Sequence, residues 1–545
     1  MSSIAQTPKL LNIRGLDITY GTGTEAVSAT RNINLELAAG EIVALVGESG
    51  SGKSTLSKAI IGLLPEVARI GGGRIELAGE DLLQYTEKQL QALRGRRIGM
   101  VPQDPGASLD PVKTIESQVA EVFRLHPQGA KRSKKQLRTE VIRLLNLVGI
   151  DRPEQRLTQY PHELSGGLKQ RVLIAIAFAL EPDLLIADEP TSALDVTVQQ
   201  TILEVFTRLA REMGTAVIFV THDLAVATDI ADRIVVMQHG RIKEDRPVRE
   251  ILQNPHDPYT RMLLTEAAPT EGTADDSLAT ASELIPAIEV LGLHKVYGNG
   301  KTEHTAVDSV SFAVRPGTTF SLVGESGSGK STTARIIMRL LDPTAGTVKI
   351  HGTDITTVRG AAKRELWRSL QLVYQNPDSA LDPRYSVSRI ISEPLENYKV
   401  GSKSERKTRV SELLDAVNLP SRLAELGSKE LSGGQRQRVA IARALALGAK
   451  TLVLDEALSA LDVLTQAQIL TLLEDLQITQ GLSYLFISHD LHVVERFSHD
   501  VGVMHQGRLV ETGSAAQVFE NPTSQYTQQL LDSNPGTLLR ELALS

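Results

Sequence analysis

Gly47-Glu48-Ser49-Gly50-Ser51-Gly52-Lys53-Ser54-Thr55 and Gly324-Glu325-Ser326-Gly327-Ser328-Gly329-Lys330-Ser331-Thr332 are one stretch written twice. Each fits G-x-x-x-x-G-K-[ST], a loop whose backbone N–H groups wrap phosphate oxygens. Its Lys neutralises β/γ charge and its hydroxyl holds Mg²⁺. Each copy follows an apolar strand pattern, Ile42-Val43-Ala44-Leu45-Val46 or Phe320-Ser321-Leu322-Val323, and opens a helical pattern, which is the context the motif requires. Two matches in that context exclude accident. The chain is expected to bind nucleotide twice, through Gly47, Ser49, Gly50, Ser51, Gly52, Lys53, Ser54 and Thr55, and again through Gly324, Ser326, Gly327, Ser328, Gly329, Lys330, Ser331 and Thr332.

The repeat extends well beyond the loops. Asp455 lies 267 residues after Asp188, His489 lies 267 after His222, and Leu431-Ser432-Gly433-Gly434 lies 267 after Leu164-Ser165-Gly166-Gly167. That period is far too long for a solenoid, so the chain is two homologous halves. Ala267 to Ile285 is small, polar and acidic, without apolar periodicity, and predicts a flexible tether. The expected division is a first domain at 1–266, a linker at 267–286 and a second domain at 287–545. Within each half, strand, loop and helix give way to a mainly helical middle and then to strands alternating with helices. That order predicts an α/β fold with a parallel sheet covered by helices. The basic runs Lys131-Arg132-Ser133-Lys134-Lys135 and Lys403-Ser404-Glu405-Arg406-Lys407 precede amphipathic patterns such as Val141, Leu144, Leu145, Leu147 and Val148, and read as solvated helix faces, with docking on anionic lipid or a partner as the alternative.

Composition bounds the function classes. The 545 residues exceed one core, and a net charge of −7 argues against a nucleic-acid coat. Zero cysteines exclude disulfides, thiolate zinc sites and cysteine-ligated iron–sulfur clusters. No apolar run approaches the ~20 residues of a spanning helix, and Met1 to Leu10 lacks the apolar centre of a signal peptide. A soluble, cytoplasmic protein is expected, meeting membranes only through partners.

The remaining chemistry sits at strand ends. Leu184-Leu185-Ile186-Ala187-Asp188 and Leu452-Val453-Leu454-Asp455 are buried-strand patterns ending in an acid suited to Mg²⁺. The next residues, Glu189 and Glu456, stand where ligands bind in such sheets and can orient and deprotonate an attacking water. Gln103 and Gln375 follow the strand patterns Ile98 to Val101 and Leu370 to Tyr374, where a neutral amide can bind the metal or the water and release it. His222 and His489 follow apolar strands, precede Asp-Leu and recur at the repeat offset, which favours a γ-phosphate sensor over a structural histidine. Tyr20 and Tyr297, in TYGTG and VYGNG, are candidates to stack on adenine. The metal set is therefore Ser54, Gln103 and Asp188, with Ser331, Gln375 and Asp455 in the second half. Leu-Ser-Gly-Gly opens a helix in each half, making a second anion site from Ser165 and Gly167 or from Ser432 and Gly434. Each phosphate loop already has its own metal and water ligands, so a head-to-tail arrangement is expected. Ser432 and Gly434 would then close over nucleotide on Lys53, and Ser165 and Gly167 over nucleotide on Lys330.

Taken together, GESGSGKST, Gln103/Gln375, LSGG, LLIADEP/TLVLDEA, Ser192 to Asp195 with Ser459 to Asp462, and His222/His489 resemble ABC transporter nucleotide-binding domains over nearly the whole chain. QDPGASLDP, QNPDSALDPR and NPHDPYTRMLL further resemble the dipeptide/oligopeptide/nickel importers, the first half their D-type ATPase and the second their F-type. The resemblance implies two tandem P-loop NTPase domains of ABC type, each with a helical subdomain and a short C-terminal extension. It implies ATP and Mg²⁺ as cofactors, and two transmembrane permease subunits with an extracytoplasmic solute-binding protein as partners. It also implies a peripheral place on the cytoplasmic face of a bacterial inner membrane. Rival twin-ABC proteins of the ribosome carry a long charged helical linker, and DNA-repair relatives carry cysteine-ligated zinc; neither feature is present. The chain departs from the family at Leu168-Lys169 in the first signature, at Asp257 in the first tail, and at Asn521-Pro522-Thr523-Ser524-Gln525-Tyr526-Thr527, a second tail without histidine.

Overall fold

A computed structural model describes residues 9–539 except 22, 24, 25, 127–131, 192, 193, 268–284, 299–302 and 460. The chain forms two compact units. The tether expected at 267–286 lies almost wholly outside the described residues, although Ala267 itself ends the helix Pro258–Ala267. Among the described residues no helix is long and apolar enough to cross a membrane.

In the first unit a six-stranded sheet runs Arg241–Pro247, Arg233–Gln238, Ile42–Val46, Ala216–Thr221, Leu184–Asp188, Ile98–Val101. All neighbours are parallel except the outermost hairpin, Arg233–Gln238 with Arg241–Pro247. Strands buried on both faces read as continuous apolar runs, and Ile42–Val46 and Leu184–Asp188 are buried at every position. Alternate side chains of each strand therefore enter different cores. Leu184, Ile186 and Ile218 pack with Leu11, Ile13, Ile60 and Ile75, beneath an antiparallel sheet of Val27–Ala38, Lys9–Tyr20, Ala68–Leu77 and Glu80–Asp81. Leu185, Val217 and Phe219 face the other way, toward Val141, Leu144 and Ile174 of the helical layer.

The second unit repeats this plan. Its six-stranded order is Leu370–Val373, Thr451–Asp455, Ser483–Ile487, Thr319–Val323, Asp500–His505, Arg508–Ser514. Val453, Leu485 and Ile487 meet the antiparallel layer, while Leu452, Leu454 and Phe486 meet the helices. The long helices of each middle segment, Lys134–Leu147 and Lys403–Ala416, open with capping boxes, Ser133 with Gln136 and Ser402 with Glu405. Lys134, Lys135, Lys403 and Lys407 are exposed, so the described basic side chains lie largely on solvated faces as expected.

One boundary differs from the expectation of a second domain ending at 545. The described residues from Pro535 onward belong to the first unit. There the Gly536 N–H donates to the Asp229 carboxylate at 2.7 Å, and Leu539 is buried.

Candidate nucleotide site

The glycines of the phosphate loop bend it into shapes that other residues could not occupy. Gly47 and Gly324 have φ of 149° and 136°, and a Cβ on either would lie 2.1 Å from the carbonyl oxygen of Met237 or Met504. The loop curls around its own lysine. Lys53 Nζ donates to the Gly47 and Glu48 carbonyls at 2.6 and 2.9 Å, and Lys330 Nζ to those of Gly324 and Glu325 at 2.7 and 2.8 Å.

Parallel strands bring the other groups to the same edge. Ser54 Oγ donates to Asp188 Oδ1 at 3.2 Å, and Ser331 Oγ to Asp455 Oδ1 at 3.4 Å. Burial, reinforced by the adjacent glutamate, pushes both aspartates above the usual carboxylate range. A hard dication would relieve that penalty, and a hydroxyl, one carboxylate and a glutamine oxygen suit Mg²⁺, which takes few protein ligands beside substrate phosphates. Among the described residues no cluster of three or more His, Cys, Asp or Glu forms an all-protein metal cage. The residues present fit the expected ion.

Glu189 and Glu456 follow their aspartates with φ of 46° and 48°. A left-handed glutamate is strained, and such strain collects at functional sites. Each carboxylate is held at one oxygen by two groups. Gln103 Nε2 donates to Glu189 Oε2 at 2.9 Å and His222 Nδ1 lies 3.3 Å from it; the second-half distances from Gln375 and His489 to Glu456 Oε2 are 2.6 and 3.6 Å. Burial alone would raise Glu189, but the His222 hydrogen bond and charge and the Lys53 charge hold its carboxyl below the usual range. The His489 hydrogen bond does the same for Glu456 against burial. Burial likewise depresses His222, and the Glu189 carboxylate more than reverses it, leaving the imidazole above its ordinary value. The Asp that follows each histidine caps the next helix, Asp223 accepting from Val226 N–H and Asp490 from His492 and Val493 N–H. This fixes where the histidine stands.

The tyrosines are less alike than their sequence contexts. Tyr20 Oη lies 3.2 Å from Thr55 Oγ1, at the end of the phosphate loop. Tyr297 is 40% exposed and carries the Lys295 ammonium 5.3 Å above its ring.

Ser165 and Ser432 cap the signature helices Gly166–Phe178 and Gly433–Leu445. Gln435 completes a capping box with Ser432, and Leu168 cannot, so the first signature keeps its cap without the reciprocal bond. A Cβ on Gly167 or Gly434 would fall 2.5 Å from Val198 or 2.4 Å from Thr465, so these glycines also let the helix beside them approach. Among the described residues, no hydrogen bond joins Ser165 or Ser432 to the phosphate loop of its own unit.

Sequence reasoning missed what the tails do. Glu244 accepts the His256 and Asp257 N–H groups at 3.0 and 3.1 Å; Glu511 accepts those of Thr523 and Ser524 at 2.7 and 3.1 Å. Thr523 adds its hydroxyl to Glu511 at 2.7 Å, so the tail without histidine keeps the same clamp. Asp257 is no interruption either, because its Oδ1 accepts the Tyr259 N–H at the start of Pro258–Ala267. From those helices Tyr259 Oη accepts the Glu48 N–H at 3.0 Å and Tyr526 Oη the Glu325 N–H at 3.3 Å. The signal was available: Glu244/Glu511 and Tyr259/Tyr526 share the 267-residue offset of Asp188/Asp455 and His222/His489.

Two complete sets of phosphate loop, strand-end acid, glutamate, glutamine and histidine define a P-loop ATPase built twice into one chain. The family described as ABC transporter matches residues 30–192 and 307–459, and the oligopeptide/dipeptide transporter C-terminal region matches 244–291 and 510–538. The chain belongs to the ABC transporter family. It is 41% identical to the oligopeptide transport ATP-binding protein OppD of Mycobacterium bovis, over 96% of this chain and 98% of that one. It is 42% identical to the glutathione import ATP-binding protein GsiA of Salmonella typhimurium, over 96% and 89%. It is 43% identical to the peptidoglycan transport ATP-binding protein YejF of Agrobacterium fabrum, over 96% of each.

The opposed shifts of Glu189 and His222 give a direct test. By NMR, His222 should titrate above an ordinary histidine in the intact chain, and Glu189→Gln should lower it, because the Glu189 hydrogen bond and charge that offset burial are then lost. An unmoved titration would show that the pair does not interact.

Proposed function

We propose that this ATPase energises an importer of peptides or related small polar solutes, docked on two transmembrane permease subunits at the cytoplasmic face of a bacterial inner membrane. An extracytoplasmic solute-binding protein supplies the cargo. The observation that carries the reading is that each complete hydrolytic set is followed by a clamped C-terminal tail of the oligopeptide-transporter kind. The names of the relatives at 41–43% identity support the solute class.

The chemistry follows from the side chains. Lys53 and the loop N–H groups bind the β/γ-phosphates. Ser54, Asp188 and Gln103 would hold Mg²⁺, which would supply positive charge to offset that of those phosphates. Glu189, kept ionised by His222 and Lys53, orients the attacking water and accepts its proton. Gln103 and His222 hold the glutamate by one oxygen and so aim the carboxylate. Lys330, Ser331, Asp455, Glu456, Gln375 and His489 repeat these roles. The signature of each half closes over nucleotide on the other half's loop, Ser432 and Gly434 toward Lys53, Ser165 and Gly167 toward Lys330. ATP must favour the closed state over the open one, or nothing is driven.

Different side chains in the two halves support two non-identical permease contacts. After Gln375, a 580 Å³ hollow is lined by Asp382, Arg384, Glu393 and Arg443, with Arg443 Nη1 donating to the Ala380 carbonyl at 2.6 Å. After Gln103 the corresponding positions of Arg384 and Arg443 are Val112, which is 80% exposed, and Ile176.

Glu189→Gln with Glu456→Gln should still bind ATP but lose at least a hundredfold in phosphate release, in line with general-base contributions of roughly 10²–10⁴; substantial residual turnover would refute the assigned base. Ser432→Arg should impair nucleotide trapping at the Lys53 site more than at the Lys330 site, and the reverse bias would contradict head-to-tail closure. Arg384→Glu should release one permease subunit in detergent co-purification while ATP binding persists; retention of both would remove the second-half hollow from the docking surface.

A further inference from the structure

We infer that Tyr259 and Tyr526 are positioning residues for the two phosphate loops, so that each C-terminal tail sets the ATP affinity of its own half. The inference rests on the nucleotide reading of the loops and concerns a part of the chain that takes no role in the hydrolytic set.

A single peptide unit carries the argument. The Gly47–Glu48 peptide is gripped at its carbonyl end by the Lys53 ammonium, 2.6 Å away, and at its amide end by the Tyr259 phenol oxygen, 3.0 Å away. The Gly324–Glu325 peptide is gripped in the same way by Lys330 at 2.7 Å and Tyr526 at 3.3 Å. Each bond polarises the peptide toward the other, so the two reinforce one another. This peptide is also the one that follows the positive-φ glycine pressed against the Met237 or Met504 carbonyl. Its orientation sets where the carbonyl that binds the lysine ammonium stands.

The phenol can impose that orientation only if its own position is fixed, and it is. Tyr259 is 5% exposed, and its helix enters through two N–H bonds to the Glu244 carboxylate. The second tail reaches the same result with other residues, through Thr523 and Ser524 on Glu511. There the Tyr526 ring also stacks on His505, with centroids 3.9 Å apart and planes 13° from parallel. The two tails differ in the residues that donate to the carboxylate, yet agree on the carboxylate clamp and on the phenol-to-loop bond. That agreement points to the loop as what the tail serves.

The test uses the full chain and Mg·ATP. In Tyr259→Phe/Tyr526→Phe the ring remains and the hydroxyl that accepts the loop N–H is lost. KM for ATP should rise roughly tenfold, the scale of one hydrogen bond left unmade, with kcat at saturating ATP reduced less than twofold. Leu263→Ala is the structural control: it opens a cavity under the same tail helix, where Leu263 is 6% exposed and does not bond the loop. It should lower the melting temperature more than the phenylalanine pair while leaving KM within twofold. Phenylalanine variants with unchanged KM, or a Leu263→Ala variant whose KM rises as far as theirs, would overturn the inference while leaving the ATPase intact. A wild-type chain that fails to bind ATP would instead overturn the nucleotide reading, and this inference with it.

Discussion

Each half is organised around a nearly buried lysine ammonium, Lys53 at 6% and Lys330 at 4% exposure. Burying a charge is costly unless hydrogen bonds satisfy it, and here the loop's own carbonyls do so. A loop that turns carbonyls inward to an ammonium and N–H groups toward phosphate needs backbone angles available only to glycine at Gly47 and Gly324. The parallel sheet then has one task, to bring the ends of neighbouring strands up to that ammonium. Because sheet neighbours are far apart in sequence, Asp188 and His222 reach the loop from separate segments.

At that edge two adjacent carboxylates have opposite fates. Burial drives Asp188 up, while His222 and Lys53 bring Glu189 down. Environments that push neighbouring acids apart separate their roles. In the proposed reaction the aspartate would hold a cation and the glutamate would take a proton. The left-handed backbone at Glu189 and Glu456 turns one side chain away from the course of its strand, and the strain appears identically in both halves. Such a distortion persists only where the surroundings enforce it.

Much of this was legible before any coordinates. The strands flanking the loops, the helical middle segments, and the meeting of Ser54, Asp188, Glu189, Gln103 and His222 follow from motifs whose spacing reflects the topology. What stayed hidden is instructive. The φ of Glu189 depends on sheet geometry that residue type does not encode. Asp257 looked like damage to a motif because a helix cap and a missing histidine position cannot be told apart without the backbone. The expected second domain runs to 545, whereas the described residues from Pro535 onward group with the first unit, where the Gly536 N–H donates to Asp229. Repeat arithmetic is silent about where a terminus docks.

Duplication inside one chain gives its own control over which details matter. The two halves have diverged at Leu168 against Gln435, at Val112 against Arg384 and at Ile176 against Arg443, positions that open a helix or lie by the hollow after the glutamine. They agree at every group that touches the lysine, the strand-end acids or the glutamate. A bond kept while the residues that make it change therefore carries more weight than one kept by identical residues, since shared ancestry alone explains the latter. The carboxylate clamp, made by the backbone N–H groups of His256 and Asp257 in one tail and of Thr523 and Ser524 in the other, is of that kind. The structure preserved the destination of the tail while its sequence drifted, and that destination is the second residue of each phosphate loop.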